Sequence, residues 1–164
     1  MKKIIALLLA LCVCFSLCAC GTTKNEMPEI TESKAIELTT ENISQYLNIV
    51  IGEVIESTSE VNYYNTAPIE IYPLQAGNFS NVEIELSIKI DREYVLEDAI
   101  GATLETEETE SGWPRAGTLT FKLPADGRYK IDVKVWDWNG WASSDDGIYA
   151  CEITRVSGTF TPNY

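Results

Sequence analysis

From Val82 to Asp91 the chain alternates without a break: Val82, Ile84, Leu86, Ile88 and Ile90 are apolar, and Glu83, Glu85, Ser87, Lys89 and Asp91 lie between them. A period of two puts successive side chains on opposite faces, so this stretch predicts a strand with one face on a core and one in water. Gly117 to Leu123 repeats the pattern with Leu119, Phe121 and Leu123 inward, and Tyr129, Ile131, Val133 and Val135 do so against Lys130, Asp132 and Lys134. Between the last two, Pro124-Ala125-Asp126-Gly127 carries the residues of a tight turn.

Weaker segments fill the remainder. Ile36-Glu37-Leu38 predicts a short strand, and Thr39-Thr40-Glu41-Asn42 offers capping side chains for a brief helix through Leu47 with Ile43, Tyr46 and Leu47 on one face. Asn48 to Ser57 is β-branched in both phases, as expected of a buried strand or one bulged at Gly52. Asn62 to Thr66 reads as an aromatic loop, Ile69 to Tyr72 as a short strand stopped by Pro73, and Gly77-Asn78 as a turn. Tyr94-Val95-Leu96 and Ala102-Thr103-Leu104 add short strands, Glu105 to Glu110 a solvated acidic loop, and Asn139 to Gly147 a polar loop. A last strand places Tyr149, Cys151 and Ile153 in one phase and runs on through Val156 to Phe160. Seven or eight strands at this spacing, with at most one short helix, predict an all-β fold, a single antiparallel β-sandwich.

One apolar run obeys neither period. Ile4 to Leu17 is 14 uncharged residues behind Lys2-Lys3, shorter than the roughly 20 that cross a bilayer as a helix, which is the anatomy of a secretory signal. It ends in Leu17-Cys18-Ala19-Cys20-Gly21, which resembles the lipobox of bacterial lipoproteins, Gram-positive ones above all. That resemblance implies cleavage after residue 19, a diacylglyceryl thioether on Cys20, and a partner in the membrane on its extracytoplasmic face, since two acyl chains give a stable anchor. Residues 1–19 would be the leader, residues 20–35 the lipidated Cys and a polar tether too poor in apolar residues to fold, and residues 36–164 the sandwich domain.

Composition then closes several functions. Loss of Lys2 and Lys3 with the leader leaves 10 basic against 25 acidic residues, a net charge of −15, so nucleic acid is repelled. With no histidine, the Ser-His-Asp and Cys-His designs and the usual zinc sites are excluded, and no enzyme is expected. Cys12, Cys14 and Cys18 leave with the leader, so Cys151 remains as a lone thiol expected in the core. Partners that suit this surface are a glycan or an envelope protein.

Residues Leu123 to Ser144 resemble the late strands of bacterial immunoglobulin-like and PKD-type domains, through Gly127-x-Tyr129-x-Ile131-x-Val133-x-Val135-x-Asp137-x-Asn139-Gly140. The resemblance implies an immunoglobulin-like sandwich in which Tyr129 makes a tyrosine corner, its hydroxyl bonding back to the preceding turn. It says nothing of function, because that architecture carries many. Function is sought instead where aromatics gather: Trp136, Trp138, Trp141 and Tyr149 are the candidate ligand-binding residues, with Trp136 and Trp138 in the outward phase of their strand. Either they cap the end of the sandwich or they grip a ligand. Asp137, Asn139, Asp145 and Asp146 supply the hard oxygens calcium prefers, without the full EF-hand pattern, and no other cofactor is expected.

Overall fold

A computed structural model describes residues 33–58, 64–137 and 147–163. Nine strands occur among them: β1 (Ile36–Glu37), β2 (Leu47–Ile51), β3 (Tyr64–Pro73), β4 (Gly77–Ile90), β5 (Tyr94–Ile100), β6 (Thr103–Thr106), β7 (Ala116–Lys122), β8 (Tyr129–Asp137) and β9 (Ile148–Pro162). They form two sheets in the orders β1-β9-β4-β7-β6 and β2-β3-β8-β5, with every ladder antiparallel. The fold is an all-β sandwich. β4, β7 and β6 follow the order B, E, D of immunoglobulin sheets, and β5 and β8 the order C, F. β9 lies where strand A would lie and β3 where strand G would lie, so the strands flanking this central set have exchanged sheets.

The core is the shared inner face. Ile84, Leu86 and Ile88 of β4, Leu119 of β7, Ile69 and Ile71 of β3, and Ile131, Val133 and Val135 of β8 have no exposed surface. At one end, Phe160 of β9 packs against Tyr46 and Phe79, with ring centroids 4.7 Å and 4.9 Å apart. The expected helix is a single 3₁₀ turn over Ile43–Gln45. Asn42 is diverted from capping it: its Oδ1 accepts the Thr39 N–H and its Nδ2 donates to the Glu37 carbonyl, so its side chain makes no cap bond. Ile43, Tyr46 and Leu47 nonetheless share the buried face.

Other expectations are corrected. β2 is an edge strand whose Val50 and Ile51 are exposed, so its apolar residues in both phases do not mark a fully buried strand. Nor is Gly52 the bulged residue: it stays in register, its N–H donating to the Pro68 carbonyl, and the ladder resumes for the single pair Ile55 and Thr66 with Glu53 and Val54 opposite Ala67 alone. Pro68 has no N–H to return the bond, which is where a ladder must break. Tyr64 to Thr66 is not a loop but the start of β3, and Gly77-Asn78 is not a turn but the start of β4. Between Ser80 and Glu83, Asn81 and Val82 face one β9 residue, Gly158. This bulge shifts the inward phase from Phe79 to Val82, which hides the first five residues of β4 from a period-two reading. Tyr149 does not share the phase of Cys151 and Ile153. Ile90 pairs with Ile148 and Lys89 with Ala150, leaving Tyr149 as an extra residue that turns outward, 62 % exposed.

Tyr129 stands at the expected corner, at the start of β8, but its hydroxyl donates to the carbonyl of Gly101, just past β5 of the same sheet (2.7 Å, 28 residues away), and not to the preceding turn. Its ring stacks on Phe121, with centroids 5.3 Å apart. Tyr129→Phe keeps the stack and loses one bond with an exposed hydroxyl, so chemical unfolding is expected to show a loss of about 0.5–1.5 kcal/mol. No change would mean that water replaces the bond without cost.

Candidate surface site on the second sheet

The two outer faces of the sandwich differ in how many large apolar side chains they expose. On the sheet that contains β4, the outward positions of β4, β7 and β9 read Asn78, Ser80, Glu83, Glu85, Ser87, Thr118, Thr120, Glu152, Arg155 and Ser157. Arg155 answers Glu85 at 3.2 Å and Glu83 at 3.7 Å, an exposed pair of little energetic weight. This face carries hydroxyls and charges, with Tyr149 of β9 as its large exposed aromatic side chain among the described residues.

The other outer face mixes charged and apolar side chains: Glu70, Asp98, Lys130, Asp132 and Lys134 hold outward positions among its exposed aromatic and aliphatic residues. Of the ten large apolar side chains exposed among the described residues, six stand at outward positions of β2, β3, β8 and β5 or directly beside them: Val50, Ile55, Tyr64, Tyr72, Ile100 and Trp136. A single exposed hydrophobe needs no explanation, whereas a set gathered on one sheet face marks an interaction surface. Tyr72 and Val50 lie toward the opposite end of the sheet from Trp136, which stands near the end of β8. The register partners of Trp136 are Tyr64 on β3 and Val95 on β5, so three apolar side chains stand abreast, Trp136 36 % and Tyr64 42 % exposed and Val95 buried.

Beside this row lies a surface groove of about 410 Å³, lined by Tyr64, Glu97, Asp98, Ile100 and Lys134. A bulge makes it. Leu96 pairs with Val135 and Asp98 with Lys134, which leaves Glu97 as the extra residue of β5. A bulge at a sheet edge re-aims side chains, and here it sets two consecutive carboxylates on the rim. Lys134 Nζ donates to Thr66 Oγ1 (2.7 Å), and Asp98 Oδ1 accepts the Ala99 N–H (2.8 Å). Further along β8, Lys130 Nζ lies 3.0 Å from Asp132 Oδ1, an ion pair whose geometry leaves that oxygen without a hydrogen bond.

Of the residues expected to bind a ligand, Trp136 takes the outward position its phase predicts. Tyr149 belongs to the other sheet and does not join Trp136 on its face. Trp138 and Trp141 lie outside the described residues, as does Cys20. So do Asn139, Asp145 and Asp146 of the calcium set, which leaves Asp137 alone to be placed, at the end of β8 opposite Tyr94. The Tyr94 phenol is held above its ordinary value by burial first, then by Asp137, Glu93, Asp91 and Glu56. Among the described residues no three metal-ligating side chains come together. Burial pushes the Cys151 thiol up to about 11, with Glu152 adding to the effect, so the residue is a protonated, core-packed thiol at neutral pH.

Tyr64, Glu97, Asp98 and Ile100 were not singled out by sequence reasoning. A signal for Tyr64 was present: Ala67, Ile69 and Ile71 alternate with Tyr64, Thr66, Glu70 and Tyr72, interrupted only by Pro68. The chain matches no protein-family model and no curated protein.

Proposed function

We propose that the protein is a non-catalytic binding or adhesion module, held on the extracytoplasmic face of the cell membrane by a lipid on Cys20, and that its ligand engages the outer face of the β2-β3-β8-β5 sheet. The observation that supports this is the number of large apolar side chains exposed there, six against Tyr149 on the other face among the described residues, with Tyr64 and Trp136 paired across β3 and β8. A tether at residues 20–35 puts the domain within reach of wall glycan and envelope proteins while the anchor prevents its loss. Recognition by aromatic side chains on a rigid sheet suits a binder, because Tyr and Trp bring large contact area at small entropic cost.

One experiment tests both halves of this reading. Cells producing Cys20→Ala are expected to release the chain into the medium, and the released chain is expected to rebind cells lacking it. Trp136→Thr should reduce rebinding about tenfold, the worth of one good aromatic contact. Thr118→Lys, on the opposite face, should not. Membrane retention of the Cys20→Ala chain overturns the anchor; rebinding sensitive to Thr118→Lys and indifferent to Trp136→Thr overturns the face.

A further inference from the structure

We infer that the Tyr64–Trp136 row and the groove beside it take an uncharged sugar chain. The inference rests on the reading that this face is the binding surface, and names the ligand class. Three features carry it. Tyr64 and Trp136 are register partners on adjacent strands, so their exposed rings offer neighbouring apolar surfaces at the spacing of one cross-strand pair. A pyranose presents a flat C–H face that such rings cover, and successive residues of a glycan can use both.

The polar groups alongside suit hydroxyls. Glu97 and Asp98 accept hydrogen bonds and Lys134 donates them, all within one groove. A hydroxyl needs both a donor and an acceptor, and a site of mixed character supplies them where a purely acidic one would not. Two carboxylates against one ammonium, on a chain of net charge −13 before any processing, disfavour phosphate-bearing and other anionic polymers. The placement agrees as well. The groove lies at the surface beside Tyr64, with the exposed Ile100 in its lining. Lys134 is steadied by Thr66 Oγ1, so its donor is placed before a ligand arrives.

The test uses the released Cys20→Ala chain, followed by tryptophan fluorescence and calorimetry. The probes are cellohexaose, the hexamer of N-acetylglucosamine and mannohexaose, with a decamer of lysine as the cationic competitor. At least one neutral hexamer is expected to bind, with affinity reduced about tenfold by Tyr64→Thr and by Trp136→Thr. Trp113→Phe, which alters another exposed tryptophan, should leave it unchanged, and Glu97→Gln, which keeps an acceptor, should change it less than about threefold. Threonine is chosen at both positions because it favours strands, and an unaltered unfolding midpoint certifies each variant. Failure of all three hexamers to bind, or binding indifferent to both aromatic variants, overturns the inference. Lysine decamer binding that falls in Trp136→Thr and in Glu97→Gln overturns the sugar while retaining the face. Cell rebinding that ignores Trp136→Thr removes the face itself.

Discussion

Phe160→Ala is expected to lower the unfolding free energy by about 3–5 kcal/mol, the range for removing a fully buried phenyl ring. Phe160 has no exposed surface and brings together β1, the 3₁₀ turn and the start of β4. Its ring meets Tyr46, which follows the 3₁₀ turn, and Phe79 at the start of β4, while its backbone pairs with Ile36 of β1. The site is tight. A Cβ at Gly77 would come within 2.3 Å of the ring, so on that side the wall is main chain, which has little freedom to move into the void. Typical domains have only about 5–15 kcal/mol in total, so the variant should approach the unfolding threshold near physiological temperature. Phe160→Leu, which keeps more of the volume, should cost roughly 1–2 kcal/mol. Denaturant titration of the released chain measures both. A loss below about 1 kcal/mol for alanine would show that the three rings are not a cohesive unit.

Gly158→Ala should cost at least about 2 kcal/mol, an unusual penalty for adding one methyl group. Gly158 has φ +104°, a conformation that L side chains rarely adopt, and it faces the two bulged residues of β4. A Cβ there would lie 2.7 Å from the Asn81 carbonyl oxygen and 2.7 Å from Val82 Cα. Both are backbone atoms inside a ladder, so relief requires the bulge to open. Asn81 supports the same geometry with φ 52°, a left-handed conformation that asparagine tolerates. If the bulge can relax, Gly158→Ala will instead unfold at nearly the parental denaturant concentration, and the ladder will have been shown to slide.

These two positions mark where a reading of alternation stops. β7, β8 and the second part of β4 were legible because each buries one face against the core and wets the other, and period two records that directly. The start of β4 was not, because the bulge at Asn81 and Val82 breaks the phase. The end of the chain was misread for the same reason: extra residues at Tyr149 and Thr154 change the phase of β9 twice. The candidate site divides similarly. Trp136 was placed outward by the phase of its own strand. Its neighbour Tyr64 reads as loop from the sequence, because Pro68 interrupts the alternation that would extend β3 back to it.

By itself, then, the sequence determined which residues of each regular strand face inward, the sharp turn at Pro124–Gly127, the excess of acid, and the absence of histidine chemistry. Those are properties of composition or of a few consecutive residues. Tertiary structure alone decided that β3 and β9 exchange sheets relative to the immunoglobulin order, and that Tyr129 bonds to Gly101. It also decided that Tyr64 stands beside Trp136, 72 positions away in the chain. Sheet order and register arise from ladders between distant segments, and a bulge costs one residue in one strand without changing its composition. No local pattern records either, so the face on which aromatic side chains meet appears only when the strands are laid together.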